Sequence, residues 1–287
     1  MVKGALLLIA AALMIPFGDA VAKYAHLRYD VPMAFMAWSR FALGAILIAP
    51  FALWRGVRGR DMAHGPVLAR GVLIGLGVWF ILQGAARAPL ADVYGAFFIA
   101  PILSFVLAVL WLGERPRPAR AALVGIGFCG VVLVVKPGAA VSLGMGMALL
   151  AGGFYGAYLT LNRYLAGRYR PMAMLWAQLI VAALILAPFG MRIGAAEIGP
   201  GLMLCILVSA ASSAYANLLL LTAYGYAEAT RLAPLVYVQL ISATLWGVWI
   251  FGEWPDLWAA LGLVLLLGSG FAALALGGNR PGQGGPA

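Results

Sequence analysis

Charged residues and metal ligands are scarce in this sequence, and several functional classes depend on them. Only 10% of its 287 residues are charged, and only nine are Asp or Glu. There are two cysteines, two histidines, no HExxH motif and no GxxxxGK[ST] phosphate-binding loop. An enzyme embedded in a membrane would need His, Asp or Cys clustered at one depth, and the sequence offers no such cluster. We therefore expect no enzymatic activity, no cofactor, no metal site and no ATP-driven chemistry.

Apolar residues, in contrast, are abundant. They make up 64% of the chain, and its mean hydropathy is +1.00. A bilayer core about 30 Å thick takes roughly 20 apolar residues per helix. The runs are apolar on all sides, whereas barrel strands would alternate. The sequence thus predicts an all-α integral membrane protein with ten transmembrane helices, at 4–25, 33–54, 69–87, 91–112, 119–136, 143–164, 172–191, 200–226, 230–251 and 257–276.

Three short elements occur twice, in the same order and 138 or 139 residues apart. They are Pro32-Met33-Ala34 with Pro171-Met172-Ala173, Ala49-Pro50-Phe51 with Ala187-Pro188-Phe189, and Gly113-Glu114-x-Pro116 with Gly252-Glu253-x-Pro255. Each copy holds five predicted spans, and an odd number of spans inverts the second copy. We predict two inverted five-helix repeats, 1–139 and 140–277, followed by a disordered cytoplasmic tail at 278–287. Secondary transporters have this architecture, with the substrate site between the repeats.

The net charge of +10 follows membrane topology. With the N-terminus in the cytoplasm, thirteen Lys and Arg residues fall on the cytoplasmic side, five fall on the other side, and Arg40 lies within the second span. Basic residues accumulate on the cytoplasmic side of membrane proteins. Both termini are therefore predicted inside, and the charge does not indicate nucleic-acid binding.

The repeated Gly-Glu elements close the fourth and ninth spans. Proline is tolerated in the first turn of a helix, and a carboxylate there faces the positive end of the helix dipole. We interpret Glu114 and Glu253 as start signals for spans five and ten; proton carriage is the alternative.

The two five-span halves and this duplicated element resemble the drug/metabolite transporter superfamily and its EamA-type ten-helix members. The YddG-type aromatic amino-acid exporters look nearest. The resemblance implies export of amino acids, metabolites or cationic drugs, in a bacterial inner membrane.

Two intramembrane charges are predicted to pair. Asp19 lies six residues before the end of span one and Arg40 seven residues after the start of span two, so both are about 10 Å deep at 1.5 Å per residue. Charges in the membrane interior usually have partners. A structural ion pair is one interpretation, and sensing of a cation or proton by Asp19 is the other. Pro16 and Gly18 could interrupt the helix beside it.

Polar and aromatic residues form stripes on the inner spans. We predict that they line a cavity for substrate between spans one, three, four, six, eight and nine; the alternative is helix packing or an interfacial aromatic belt. The candidates are Trp79, Gln83, Tyr94, Phe98, Tyr155, Tyr158, Tyr215, Thr222 and Tyr237.

These features predict a secondary transporter that exports small amphipathic metabolites, amino acids and in particular aromatic ones. The two repeats would rock about kinks near Pro16, Pro101 and Pro234. Export of cationic drugs or quaternary amines is the alternative, and it would need a carboxylate in the cavity. The expected partners are a small-molecule substrate and the lipid bilayer, and a monomer is compatible with this architecture.

Overall fold

The computed structural model describes residues 2–113, 118–136, 142–165, 168–190, 198–223, 226 and 233–277, and within them it is helical with no strand. The predicted tail, Glu114 and Pro116 lie outside these residues. The helices are α1 (Val2–Tyr29), α2 (Met33–Trp54), α3 (Gly59–Met62), α4 (Gly65–Ala85), α5 (Leu90–Phe97), α6 (Ile99–Leu112), α7 (Pro118–Val135), α8 (Leu143–Leu165), α9 (Pro171–Gly190), α10 (Pro200–Ala223), the 3-10 helix η1 (Ala233–Tyr237), α11 (Val238–Phe251) and α12 (Leu257–Gly277).

Seven helical segments are long and apolar enough to cross a membrane, with α5 and α6 together forming one of them. Three further apolar segments are shorter: Ala121–Val135, Leu235–Phe251 and Leu257–Ala273. The protein is therefore an all-helical integral membrane protein, and the count of ten spans stays a prediction.

The glycine of each Gly-Glu element has a clear structural role. Gly113 ends α6 with φ +66° and Gly252 ends α11 with φ +68°, the left-handed conformation that favours glycine. The N–H of Gly252 donates to the Val248 carbonyl at 2.9 Å, and that of Glu253 donates to the Gly247 carbonyl at 3.1 Å. These bonds satisfy carbonyls that the helix end would otherwise leave unpaired.

The most extensive helix contacts join residues 1–139 to residues 140–277. Helix α1 packs on α10, and α4 packs on α8 and α9. Helix α2 packs on α9 and α10, α7 packs on α12, and α8 packs on α5 and α6. The buried core consequently lies between the two halves of the chain rather than inside either one.

The fourth predicted span is broken between α5 and α6. Pro101 has no N–H to donate to the Phe97 carbonyl four residues earlier. On α8, a Cβ added to Gly152 would lie 2.7 Å from the Phe97 carbonyl oxygen, and one added to Gly156 would lie 2.8 Å from that of Ala100. The glycines thus let α8 pass directly against the break.

The predicted interruption at Pro16 was wrong. Helix α1 continues through Pro16, which lies inside it. The Ser242 hydroxyl donates to the Leu13 carbonyl at 3.0 Å, so a side chain of α11 meets the backbone of α1 next to the proline turn. Neighbouring helices commonly satisfy backbone groups near a membrane proline in this way.

Candidate functional site

The structure brings Asp19 and Arg40 together in a group of four side chains, here named the Asp19 cluster: Asp19, Arg40, Tyr94 and Ser209. Arg40 Nη1 donates to Asp19 Oδ1 at 2.5 Å, and the Tyr94 hydroxyl donates to Asp19 Oδ2 at 2.7 Å. Arg40 Nη2 donates to Ser209 Oγ at 3.2 Å. Asp19 and Arg40 are 2% and 3% exposed, so the charges form a buried pair that is neutral overall.

Four helices contribute to the Asp19 cluster, and a glycine allows their close approach. Ser209 on α10 donates to the carbonyl of Gly18 on α1 at 2.8 Å. A Cβ on Gly18 would lie 3.2 Å from the Ser209 carbonyl oxygen and 3.3 Å from Ser212 Cβ. Gly18 therefore sets the distance between α1 and α10 at the depth of the ion pair.

A second group, the Arg70 cluster, consists of Arg70 on α4, Tyr158 and Asn162 on α8, and Gln178 on α9. Arg70 Nη2 donates to the Tyr158 hydroxyl at 2.8 Å, and Nη1 donates to the Met174 carbonyl at 2.7 Å. Arg70 Nε donates to Asn162 Oδ1, and the Tyr158 hydroxyl donates to Gln178 Oε1 at 3.0 Å. The guanidinium also lies over the Tyr158 ring, 4.8 Å from its centroid.

The two clusters occupy equivalent positions in the two halves under the shift of 138 or 139 residues. Asp19 corresponds to Tyr158, and Arg40 corresponds to Gln178. Ser209, shifted back by 139, corresponds to Arg70. The location of the polar side chains is therefore shared, but the chemistry is not: only one cluster contains a carboxylate.

Aromatic rings lie between the two clusters. From the Arg70 end, Tyr158 stacks on Tyr155 with centroids 5.4 Å apart, and Tyr155 contacts Phe97 at 5.0 Å. Phe97 in turn contacts Tyr94 of the Asp19 cluster at 5.9 Å. Phe98, which lies at the break between α5 and α6, contacts Tyr237 at the end of η1 at 4.9 Å. We name these six residues, Tyr94, Phe97, Phe98, Tyr155, Tyr158 and Tyr237, the aromatic row.

The rings of the aromatic row are packed rather than spread around an open space. Tyr94, Phe98 and Tyr158 are 1%, 2% and 7% exposed. Trp79 belongs to a neighbouring group, in contact with Phe80 at 4.8 Å and Phe189 at 6.1 Å. Its indole Nε1 is buried and has no hydrogen-bond partner among the described residues.

Three of the predicted site residues lie elsewhere. Tyr215 is 40% exposed, and the exposed Thr222 donates to the Leu218 carbonyl of its own helix at 2.7 Å. Gln83 accepts a bond from Arg87 at 3.2 Å. Gln83 and Thr222 lie within two residues of the ends of α4 and α10, because these helices end at Ala85 and Ala223, earlier than the predicted spans. Neither residue joins the aromatic row.

The interpretation of Glu253 as a start signal for span ten was wrong. Its Oε2 accepts the Leu90 N–H at 3.0 Å, at the N-terminus of α5, and its Oε1 accepts from Lys23 Nζ at 2.5 Å. Asp256 precedes α12 instead and accepts the Ala259 N–H at 2.9 Å, which together with the contact from Lys136 lowers the pKa of Asp256 below its ordinary value. Glu253 does face a helix N-terminus, but of a helix in the other half of the chain.

Sequence reasoning missed Arg70, Asn162 and Ser209. Arg70 was counted among the charges at the cytoplasmic edge, at the first residues of the predicted span 69–87, yet α4 begins at Gly65 and Arg70 is only 8% exposed. Pro66, at the second position of α4, is the signal that could have placed the helix start earlier. Ser209 and Asn162 carry no comparable signal, since a single polar residue in an apolar run does not show which residue it contacts in the folded protein.

The side chains gathered here offer aromatic faces and hydrogen-bonding groups. Among the described residues, no group of three or more His, Cys, Asp or Glu could hold a metal ion. Flat rings, a guanidinium and an unpartnered indole N–H suit a ligand with an aromatic face and a polar end.

Comparison with known proteins agrees with a transport role. The model of the EamA-like transporter family matches residues 2–136 and again residues 142–274. The S-adenosylmethionine uptake transporter of Rickettsia prowazekii is 26% identical over 87% of this chain and 84% of its own length. The riboflavin transporter of Vibrio cholerae is 24% identical over 92% of this chain and 91% of its own. The pseudopaline exporter of Pseudomonas aeruginosa is 26% identical over 98% of both chains.

A solved crystal structure shares the fold. It covers 98% of this chain and 99% of its own, with a TM-score of 0.68 at 19% identity.

Proposed function

Because the chain belongs to the EamA-like transporter family, we propose that it is a secondary transporter for small amphipathic metabolites that carry a flat ring, aromatic amino acids among them, and that it exports them by alternating access. The observation that carries this proposal is the aromatic row, which runs between the two clusters and includes Phe98 and Tyr237 at the helix breaks. A pocket lined by aromatic side chains with a few polar groups suits such ligands.

The pattern of helix contacts supports a pair of inverted repeats. Under the shift, α1 corresponds to α8 and α10 to α4, so the α1–α10 contact has its counterpart in α8–α4. In the same way α2–α10 corresponds to α9–α4, and α8–α6 corresponds to α1–α11. Such exchange symmetry is what rocking of one repeat against the other requires.

Packing of the aromatic row supports a closed state of such a cycle. Phe98 and Tyr237, which correspond under the shift, touch each other at the helix breaks. A ligand that enters between the halves must separate them, and the breaks at Phe98 and Tyr237 supply residues outside regular α-helix where the chain can turn.

The named relatives favour a flat ring more than a particular substrate. S-adenosylmethionine and riboflavin both contain a flat heteroaromatic ring system, and the relatives include both uptake and export proteins. These relatives are named as transporters or exporters, and none of the three is named as an enzyme. Export of amino acids is thus the finer part of our proposal and is the part that needs the direct test.

The alternative, export of cationic drugs, has less support. It calls for a carboxylate available to the substrate. Asp19 is held by Arg40 and Tyr94, so its charge is already neutralised in the closed state.

Transport by the purified protein in proteoliposomes tests the proposal. Radiolabelled tryptophan, phenylalanine, riboflavin and a quaternary ammonium drug are compared with and without a pH gradient. We expect transport of the ring-bearing metabolites, and its loss in Trp79→Ala and Tyr237→Ala when rates are normalised to folded protein. Trp258→Ala is the matched control, because Trp258 is 57% exposed and faces away from the helix core.

Two results would contradict the proposal. One is transport of the quaternary ammonium drug alone. The other is loss of transport in Trp258→Ala while Trp79→Ala and Tyr237→Ala remain active, which would place the substrate path on another face of the protein.

A further inference from the structure

Arg70 is a buried cation surrounded by neutral partners. Its three hydrogen bonds go to an amide oxygen, a backbone carbonyl and a phenol, on Asn162, Met174 and Tyr158. No ion pair within the described part of the chain includes it. Charges inside a membrane protein are normally paired, because an unpaired charge loses its hydration without compensation.

Arg40 shows what the compensated arrangement looks like in the same protein. It lies at a similar degree of burial and binds the Asp19 carboxylate at 2.5 Å. At the position that corresponds to Asp19, the Arg70 cluster has Tyr158. The Arg70 cluster therefore lacks the carboxylate that the Asp19 cluster contains.

The donors of Arg70 are only partly used. A guanidinium has five N–H groups, and three of them donate to the partners just named. One N–H on each terminal nitrogen is left without a partner among the described residues. Arginine commonly binds a carboxylate through two of its N–H groups at once.

Aromatic rings begin directly beside this guanidinium. The Tyr158 ring lies 4.8 Å beneath it, and Tyr155 stacks on Tyr158 with an interplanar angle of 21°. A ligand whose carboxylate meets Arg70 can therefore place a flat ring against the aromatic row, since both sites are adjoining.

We propose that Arg70 binds the carboxylate of the transported substrate, which makes the substrate class ring-bearing carboxylic acids, aromatic amino acids included. This inference rests on the proposed function and specifies its site. The substrate carboxylate supplies Arg70 with the counter-charge that the Asp19 carboxylate supplies to Arg40. The Arg70 cluster is then electrically neutral only when substrate is bound.

Matched acid and amide pairs test this inference on the purified full-length protein. Isothermal titration calorimetry compares phenylacetate with phenylacetamide, and indole-3-acetate with indole-3-acetamide. We expect the wild-type protein to bind each acid about tenfold or more tightly than its amide, which corresponds to about 1.4 kcal/mol. In Arg70→Gln the acids should weaken to the level of the amides, and the amides should stay within about twofold of wild type.

Two further variants separate recognition from structure. Arg60→Gln, an exposed arginine of α3 outside both clusters, should leave every affinity unchanged. Arg70→Lys keeps the charge but loses the two-pronged geometry, so it should keep the preference for acids at lower affinity. If Arg70→Gln does not fold, Arg70→Lys becomes the deciding variant. An equal loss of affinity for acids and for amides in Arg70→Lys overturns the inference.

The remaining outcomes are also decisive. Equal affinity of wild type for acids and amides, no binding of any acid, or a preference for acids that survives in Arg70→Gln each overturn the role of Arg70. A failure of the proposed function appears differently, as absence of proteoliposome transport for every ring-bearing compound, charged or neutral. Transport of neutral ring compounds without any acid preference would remove the Arg70 inference and keep the proposed function.

Discussion

The Asp19 cluster and the Arg70 cluster differ in how each guanidinium is neutralised. In the first, Arg40 binds the Asp19 carboxylate and side chains from α1, α2, α5 and α10 meet around the pair. In the second, Arg70 donates to neutral groups from α8 and α9, and no described carboxylate pairs with it. The two clusters correspond under the shift, yet one holds a closed ion pair and the other holds a cation that has no carboxylate partner among the described residues.

This difference predicts a stabilising role for the Asp19 cluster and a recognition role for the Arg70 cluster. A buried ion pair holds helices in place, because removing either partner leaves the other charge unpaired in apolar surroundings. A buried cation without a counter-ion gains most from a ligand that supplies one. We therefore expect mutations in the Asp19 cluster to affect folding and mutations in the Arg70 cluster to affect binding.

The largest expected effect is on the ion pair. Asp19→Asn and Arg40→Gln should each destabilise the protein by about 3–5 kcal/mol, and the double variant should be less destabilised than the sum, because no charge then remains unpaired. Arg70→Gln leaves no carboxylate behind and should destabilise far less. Thermal unfolding in detergent measures all four variants. Additive losses, or an equal loss in Arg70→Gln, would contradict the difference between the clusters.

A smaller effect is expected when the Arg70 cluster receives its own carboxylate. Asn162→Asp changes the atom that accepts from Arg70 Nε into a charged oxygen. We expect a stabilisation of about 1–2 kcal/mol, since hydrogen bonds between charged groups are stronger than neutral ones, together with loss of acid binding. Thermal unfolding and calorimetry measure the two effects.

Asn217→Asp is the matched control for that substitution. Asn217 donates to the Ser213 carbonyl at 2.8 Å and has no cation beside it in the described structure, so an aspartate there should destabilise. If Asn162→Asp bound acids as wild type does, Arg70 would not be the acid site.

The ion pair between Lys23 and Glu253 should contribute less than the Asp19 pair. Lys23 is buried, but the Glu253 side chain is 23% exposed. Lys23→Gln should lower stability by about 1 kcal/mol, with Lys3→Gln at the exposed start of α1 as the control. A loss as large as that of Arg40→Gln would mean that the contact at the start of α5 stabilises the protein as much as the Asp19 pair does.

The last prediction concerns membrane orientation, which determines the side of the membrane that each cluster faces. Its test involves no expected change in stability. In a background without Cys129 and Cys205, single cysteines at positions 58 and 168 should be protected from an impermeant reagent added outside. Cysteines at positions 139 and 195 should react. External labelling at position 58 would reverse the predicted orientation and with it the side from which Arg70 is reached.

Much of the helical framework could be predicted from the sequence. Long apolar runs fix where helices lie because a helix satisfies its own backbone groups in lipid. Counting residues from the ends of two neighbouring helices was enough to place Asp19 and Arg40 at the same depth in the membrane. The repeated Gly-Glu elements also identified helix ends, although the glycine rather than the glutamate supplies the local reason at Gly252.

Only the tertiary structure decided which sides of the helices meet. The spans are apolar all around, so hydropathy along the chain cannot separate an exposed Tyr215 from a buried Tyr158. Contacts such as that of Glu253 with the start of α5, or of Ser209 with Arg40, join residues more than 160 positions apart. The sequence by itself determined the helices and their order. Helix packing determined that, among the described residues, Arg40 has a carboxylate partner and Arg70 does not. Charge compensation depends on distances of a few ångströms between helices, and no one-dimensional pattern records those distances.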